Sequence, residues 1–240
     1  MRELPPIRAV VLDVDGVIVD SPHEAAWRAA LAGFTDPARL TPALYRSLVA
    51  GRPRLDGARA ILDHLGLDPA LAEPYAQAKQ QRIVDLIATG RFAAFPDALR
   101  FITAAKARGL RLAAASSSRN ANLMLAQLTL PSGTPLLDAF DANLSGREMR
   151  HGKPDPEIFL TAAAELAIVP TACLVVEDAP AGIRAARAGG MAALGIARTG
   201  SADELTEAGA DLVLPSLDAL ALEDLPAGRL RPIAPPRSPP

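Results

Sequence analysis

Beyond Phe95 the sequence switches back and forth between helical and strand periodicity, and few folds accommodate that alternation. PDALRFITAAKARG reads as a helix and RLAAAS as a short strand. RNANLMLAQLTL reads as a helix and FDANL as a strand, then PDPEIFLTAAAELA as a helix and ACLVVE as a strong strand. APAGIRAARAGG, MAALGI, SADELTEAG and DLVLP continue as helix, strand, helix and last strand. Strands that alternate with helices argue for a parallel sheet covered on both faces. The N-terminal run VVLDVDGVIV belongs with them. Val10, Val11, Leu12, Val14, Val17, Ile18 and Val19 suit a strand buried on both sides. The expected fold class is α/β, a Rossmann-like parallel sheet.

The block between that first strand and Phe95 has few strand signals. HEAAWRAALAGF places Trp27, Leu31 and Phe34 on one side of a helix. DGARAILDHLGL reads as a second helix, opened by Asp56 and closed by Gly66, and Asp68 with Pro69 opens a third that runs toward Ile87. The expected organisation is an α/β core from residues 1–20 and 92–225, an inserted helical domain at 21–91, and a disordered proline-rich tail at 226–240.

Composition narrows the function classes. The 240 residues carry a net charge of −2, with 50% hydrophobic and 22% charged residues. That balance gives no broad basic field for nucleic acid or acidic lipid. The single cysteine, Cys173, sits in an apolar run and reads as a small buried hydrophobe. The N-terminal MRELPPIRAV lacks a secretion signal's apolar stretch, and no run approaches the ~20 apolar residues of a membrane span. A cytoplasmic protein with no membrane or nucleic-acid partner is expected, a monomer or at most a weak homodimer.

Ligands of open α/β sheets bind beyond the carboxyl ends of the strands. The residues following each strand are therefore the candidates. The first strand is followed by Asp13, Asp15 and Gly16, the second by Ser116, Ser117 and Ser118, and the ACLVVE strand by Glu177 and Asp178; Lys153 precedes the PDPEIF helix. Carboxylates gathered at one edge repel one another and call for a cation. Oxygen ligands awaiting a phosphate are a common way to hold Mg²⁺. A carboxylate beside such an ion can attack phosphorus and form an aspartyl-phosphate, while a second carboxylate moves the proton. Hydroxyl, backbone N–H and lysine groups would hold the phosphoryl oxygens.

These residues resemble the motifs of the haloacid dehalogenase superfamily: DVDGV the first, Ser116 at the end of AAAS the second, Lys153 in GKPDPEIF the third, and Glu177–Asp178 in VVEDAPAGI the fourth. The resemblance runs from about Val10 to Leu214. It implies Asp13 as nucleophile, Asp15 as general acid/base, and Ser116 and Lys153 as holders of the phosphoryl group. It further implies Mg²⁺ held by Asp13, Asp15, Glu177 and Asp178, with Gly16 at the phosphate-binding turn. Asp15 argues against dehalogenation itself.

The helical insertion resembles the α-helical cap of the β-phosphoglucomutase subgroup. AGRPRLDGARAIL is similar to its arginine-bearing segment, which singles out Arg54. AKQQRIVDLI is similar to its lysine-bearing helix, which singles out Lys79, and His23 stands four residues before Trp27 as in that subgroup's first cap helix. SSSRN is similar to the loop after the second strand, making Ser117, Ser118, Arg119 and Asn120 further phosphate-binding candidates. The ligand so implied is a small phosphorylated sugar. Three readings stay open: a mutase converting β-glucose 1-phosphate to glucose 6-phosphate, a sugar-phosphate phosphatase, and a non-catalytic binding protein on the same fold.

Overall fold

The protein is described here by a computed structural model covering residues 4–49, 52–198 and 201–233. The chain divides into two compact units, Met1–Asp20 with Ala94–Pro240 and Ser21–Ala93. Eight strands occur among the described residues: β1 (Ala9–Leu12), β2 (Val19–Asp20), β3 (Ala93–Ala94), β4 (Arg111–Ala114), β5 (Ala142–Asn143), β6 (Cys173–Glu177), β7 (Ala192–Ile196) and β8 (Leu212–Leu214). Six of them form one sheet in the order β5-β4-β1-β6-β7-β8, and β2 pairs with β3 apart from it. Every neighbouring pair in the large sheet is parallel.

The sheet explains its own sequence. β1, β6 and β7 are buried at every residue. This is the continuous apolar signature of a strand covered on both faces. Alternate residues Val11, Ala113, Val175 and Ala193 join one core cluster with Phe159, Ile183 and Leu205. Their neighbours Val10, Leu12, Leu112 and Leu174 are equally buried.

The Ser21–Ala93 unit consists of α1 (His23–Leu31), α2 (Pro42–Leu48), α3 (Arg54–Leu65) and α4 (Ala72–Ala88) with two short 3₁₀ turns. Its core joins Trp27, Leu31, Leu40, Ile61, Leu62 and Tyr75. Trp27 and Tyr75 meet edge to face at 5.1 Å, and the Tyr75 hydroxyl donates to the Trp27 carbonyl at 3.0 Å. Gly66 closes α3 in the left-handed conformation, as its position in the sequence predicts. Helix α2 has no counterpart in the sequence reading. Its start signal was available, because Thr41 accepts from the Leu44 N–H and Pro42 occupies the first turn.

The large unit adds α5 (Pro96–Ala107), α6 (Ala121–Leu125), α7 (Glu157–Glu165), α8 (Pro180–Ala188) and α9 (Ala202–Glu207). Three expectations need correction. The helix read across 119–130 stops at Leu125. Beyond it Thr129 bridges to Pro135, with the Leu130 N–H donating to the Thr134 carbonyl, because Pro131 and Gly133 favour a turn. The first strand, expected to end within residues 13–18, ends at Leu12. The Val14 carbonyl accepts from both Ile18 and Val19, folding 14–19 into a turn. The tail is not disordered over 226–233. A 3₁₀ segment spans Leu222–Ala227, Leu220 bridges to Pro232, and Asp224 is paired with Arg229 and Arg231. Residues 234–240 lie outside the described residues.

One buried ion pair ties β7's exit to α5. Arg198 reaches Asp97 at 2.9 Å, and Asp97 also accepts from the Ser216 hydroxyl at 2.7 Å and the Leu217 N–H at 2.8 Å. Burial pushes the Asp97 carboxyl up, but these donors outweigh it and hold the carboxyl below its ordinary 3.8. A carboxyl lowered by folding adds stability above its unfolded pKa and loses it as pH falls through the folded value. Asp97→Asn should therefore cost about 3 kcal/mol at neutral pH. The gap to the parent protein should narrow below pH 3.8. Denaturant unfolding at neutral and acid pH measures both; a gap that does not change with pH would refute the assignment.

Candidate active site

Three adjacent parallel strands, β4, β1 and β6, end at the same edge of the sheet. Asp13 follows β1 directly, Ser116 stands two residues past β4, and Glu177 closes β6 with Asp178 next. Their register sets this: Leu12 pairs with both Ala114 and Val176. Lys153 enters from the loop before α7. Its ammonium lies 2.5 Å from Asp13 Oδ1 and 2.5 Å from Glu177 Oε1, 3.4 Å from the Ala115 carbonyl, and over the Phe159 ring. The other Glu177 oxygen accepts from the backbone N–H groups of Asp178 and Ala179, each at 3.2 Å. Glu177 is 1% exposed and Asp13 7%.

The backbone yields space to these carboxylates at two glycines. Gly16 has φ +79°, and a Cβ there would lie 1.9 Å from Asp178 Oδ2. A Cβ on Gly182, inside α8, would lie 1.9 Å from the Glu177 carboxyl. Both positions are closed to any larger residue while the carboxylates hold their places.

Ser116 is 2% exposed, and its hydroxyl donates to Asp15 Oδ2 at 3.2 Å while accepting from the Ser118 N–H at 3.1 Å. The Asn120 N–H donates to Ser118 Oγ at 3.3 Å, and Asn120 is buried. Ser117 and Arg119 line an open cavity of about 300 Å³ with Arg147, Glu148, Met149 and Gly152. Arg119 is paired with Glu148 at 2.6 Å, on the surface.

Within the helical unit, Lys79 is buried and donates to His23 Nδ1 at 2.9 Å, above the Trp27 ring at 5.5 Å. A lysine ammonium only donates, so in this contact Nδ1 is the accepting nitrogen. Arg54 opens α3 and donates to Gln80 at 2.7 Å, next to Lys79 in the chain. The structure thus gathers Asp13, Asp15, Ser116, Lys153, Glu177 and Asp178 in one unit, and His23 with Lys79, and Arg54 with Gln80, in the other. Asp20 is exposed and belongs to neither group.

A family model for haloacid dehalogenase-like hydrolases matches residues 7–190. The chain belongs to the haloacid dehalogenase-like hydrolase family. It is an enzyme, and its relatives include β-phosphoglucomutases and a fructose-1-phosphate phosphatase. It is 32% identical over 229 residues to Protein CbbY of Rhodobacter capsulatus, covering 92% of this chain and 98% of that protein. Among solved structures, a β-phosphoglucomutase from hyperthermophilic Pyrococcus superposes with a TM-score of 0.75 at 32% identity, covering 92% of this chain and 99% of that one. A CbbY variant from Rhodobacter sphaeroides in complex with xylulose-(1,5)bisphosphate gives 0.72 at 27% identity, covering 90% and 96%.

The electrostatics of this haloacid dehalogenase-like site follow from burial. Desolvation pushes the Asp13 carboxyl up to about 8; Lys153 pulls it down, and Glu177 and Asp15 push it up again. Asp178 is likewise raised well above its ordinary value, by burial first and Glu177 next. Burial lowers the Lys153 ammonium, yet Asp13 and Glu177 outweigh that and raise it, so it stays charged. One ammonium faces several acids. Asp13, Glu177 and Asp178 each offer an oxygen within 4.8 Å of the others. An all-oxygen, charge-rich donor set of this kind fits a hard divalent cation.

Arg198, two residues past β7, is a site neighbour the sequence reading missed. It donates to the Gly16 and Val17 carbonyls beside Asp15. Its signal was a lone arginine just beyond a strand at the same sheet edge.

The tight fit at Gly182 yields a prediction. Gly182→Ala should force the Glu177 carboxyl out of place and loosen Lys153. A stability loss of about 1–3 kcal/mol is expected, with p-nitrophenyl phosphate turnover falling about tenfold or more. Thermal unfolding and kcat measure the two effects, and an unaltered kcat would show that the Glu177 position is immaterial.

Proposed function

We propose that the protein transfers a phosphoryl group between oxygens of a small sugar phosphate through Asp13, as a β-phosphoglucomutase does. Asp13 Oδ attacks phosphorus, and the bond from phosphorus to the sugar oxygen breaks as Asp15 gives that oxygen its proton. The product is a phospho-aspartate and a free sugar hydroxyl. In the return step another hydroxyl gives its proton to Asp15 and takes the phosphoryl group, and the Asp13–phosphorus bond breaks. Ser116 and Lys153 bind the phosphoryl oxygens during transfer. Glu177, whose oxygens already serve Lys153 and two backbone N–H groups, holds the lysine in place. Mg²⁺ bound by Asp13, Asp178 and the Asp15 carbonyl, with Glu177 alongside, would offset the charge of the phosphoryl group and orient it.

The observation that carries the mutase reading is the buried His23–Lys79 pair. A lysine kept for solubility lies in water; this one is drawn inside and oriented against a histidine, as a substrate-contacting lysine needs to be. Ser117, Ser118, Arg119 and Asn120 in the large unit are candidate anion-binding groups, and Arg54 is another in the helical unit. Such groups suit a sugar that carries two phosphates during the cycle.

A second reading has a specific observation behind it. The CbbY neighbour is described as a complex with a ketose bisphosphate. A phosphatase acting on such a bisphosphate needs the same second anion site and differs only in using water as acceptor.

Product analysis separates the two. The protein is incubated with β-glucose 1-phosphate, Mg²⁺ and a trace of glucose 1,6-bisphosphate, and glucose 6-phosphate and free phosphate are followed together. Mainly glucose 6-phosphate is expected; free phosphate as the sole product would replace the mutase with the phosphatase. Asp13→Asn should lower turnover by about 10³-fold or more while leaving the fold intact. Chelation by EDTA should abolish activity, and added Mg²⁺ should restore it.

A further inference from the structure

Arg198 is engaged on four sides. Nε donates to the Gly16 carbonyl at 3.2 Å and Nη2 to the Val17 carbonyl at 3.2 Å. Nη1 meets Asp97 at 2.9 Å, and the guanidinium plane lies 3.9 Å from the Phe95 ring centre. Its side chain is only 13% exposed. An arginine kept merely to neutralise Asp97 would need one arm. The other two nitrogens hold the two residues that immediately follow Asp15.

The turn around Asp15 is closed on itself by local bonds: Gly16 N–H to the Val19 carbonyl, and Ile18 and Val19 N–H to the Val14 carbonyl. Those bonds shape the turn; outward, the Ile18 carbonyl accepts from the Phe95 N–H at 2.9 Å and the Ser116 hydroxyl donates to Asp15 at 3.2 Å, but neither holds the Gly16 and Val17 carbonyls. Arg198 supplies an anchor, because its own position is set by β7 and by Asp97. Asp97 is fixed in turn by Ser216 and Leu217. We propose that Arg198 is a positioning residue for Asp15, clamping the Gly16–Val17 backbone so that the Asp15 carboxyl stands where it can protonate the departing sugar oxygen. This rests on the acid/base role of Asp15 proposed above. Arginine is required because only its planar fork can serve two carbonyls and a carboxylate while stacking on a ring; a lysine ammonium offers one point of donation.

The consequence is selective. A displaced acid slows the departure of a poor leaving group and hardly affects a good one. The test compares kcat/KM for the sugar phosphate that the enzyme turns over fastest with kcat/KM for p-nitrophenyl phosphate, whose leaving group departs without a proton. This parameter covers the steps up to cleavage of the phosphorus–oxygen bond. Arg198→Lys should lower it about 10- to 100-fold on the sugar phosphate, and less than about threefold on the aryl ester. Equal losses on both esters, or no loss on either, would overturn the proposal.

Asp97→Asn removes the charge but keeps an amide oxygen that can accept from Arg198 Nη1, so Arg198 should stay in place with its two carbonyl contacts. The variant should lower stability and leave the ratio of the two kcat/KM values unchanged within about threefold; a ratio as altered as that of Arg198→Lys would reduce Arg198 to a structural partner of Asp97. Should Arg198→Lys not fold, Phe95→Leu removes the ring beneath the guanidinium and keeps its hydrogen-bond partners. It should show a selective loss of the same sign, and equal losses on the two esters would again overturn the proposal. Asp15→Asn is measured in parallel. If it shows no preference between the esters, the acid role of Asp15 fails; if it does and the Arg198 and Phe95 variants do not, only the positioning role fails.

Discussion

A single buried ammonium balances the acids at the carboxyl edge of the sheet. Lys153 touches Asp13 and Glu177 at once, and little of the three side chains reaches water. Charges taken out of water are costly unless their partners are close and their remaining hydrogen-bonding capacity is used. Here the second Glu177 oxygen is satisfied by backbone N–H groups at the start of α8, and Lys153 is cushioned by Phe159. The arrangement is still short of positive charge, as the upward displacement of Asp13 and Asp178 records. That shortage makes the edge receptive to a divalent cation, which fits an enzyme of this family.

The sheet makes this balance geometrically possible. Adjacent parallel strands in register deliver their carboxyl ends side by side, so Asp13, Ser116 and Glu177 meet although they are distant in the chain. Fine adjustment comes from places where a side chain is missing. Gly16 lets the turn after β1 approach Asp178, and Gly182 lets α8 approach Glu177. A methyl group at either position would compete with a carboxylate for the same volume. The chemistry of the site and the packing of α8 on β6 are therefore one constraint.

Much of this was legible in the sequence. The alternation past Phe95 implied the parallel sheet, since helices on both faces leave apolar strands without polar alternation. The candidates Asp13, Ser116, Lys153, Glu177 and Asp178 could be named because each lies at a strand end or in the loop leading to one, where α/β sheets put their ligands. Other features were hidden for identifiable reasons. Helix α6 stops short because Pro131 and Gly133 favour a turn over continued helix. Residues 226–233 look like a disordered tail in composition, but backbone bonds to Ala219 and Ala221 and the pairing of Asp224 with two arginines hold them in place. Arg198 escaped notice because an arginine after a strand has no intrinsic signature. Its meaning lies in partners at positions 16, 17, 95 and 97.

What the sequence by itself determined was the class of fold and the candidates for its reactive groups. Periodicity dictates which segments are strands, and few side-chain types can attack phosphorus, move a proton or bind a cation. Only the tertiary structure decided which groups act on which. It is folding that sets Lys153 between Asp13 and Glu177, gives the Ser116 hydroxyl to Asp15, buries Lys79 against His23, and fastens Arg198 to the turn beside Asp15. These are contacts of a few ångströms between residues up to about 180 positions apart. Local sequence cannot encode them, because their energy depends on the burial and dielectric surroundings that the assembled fold creates.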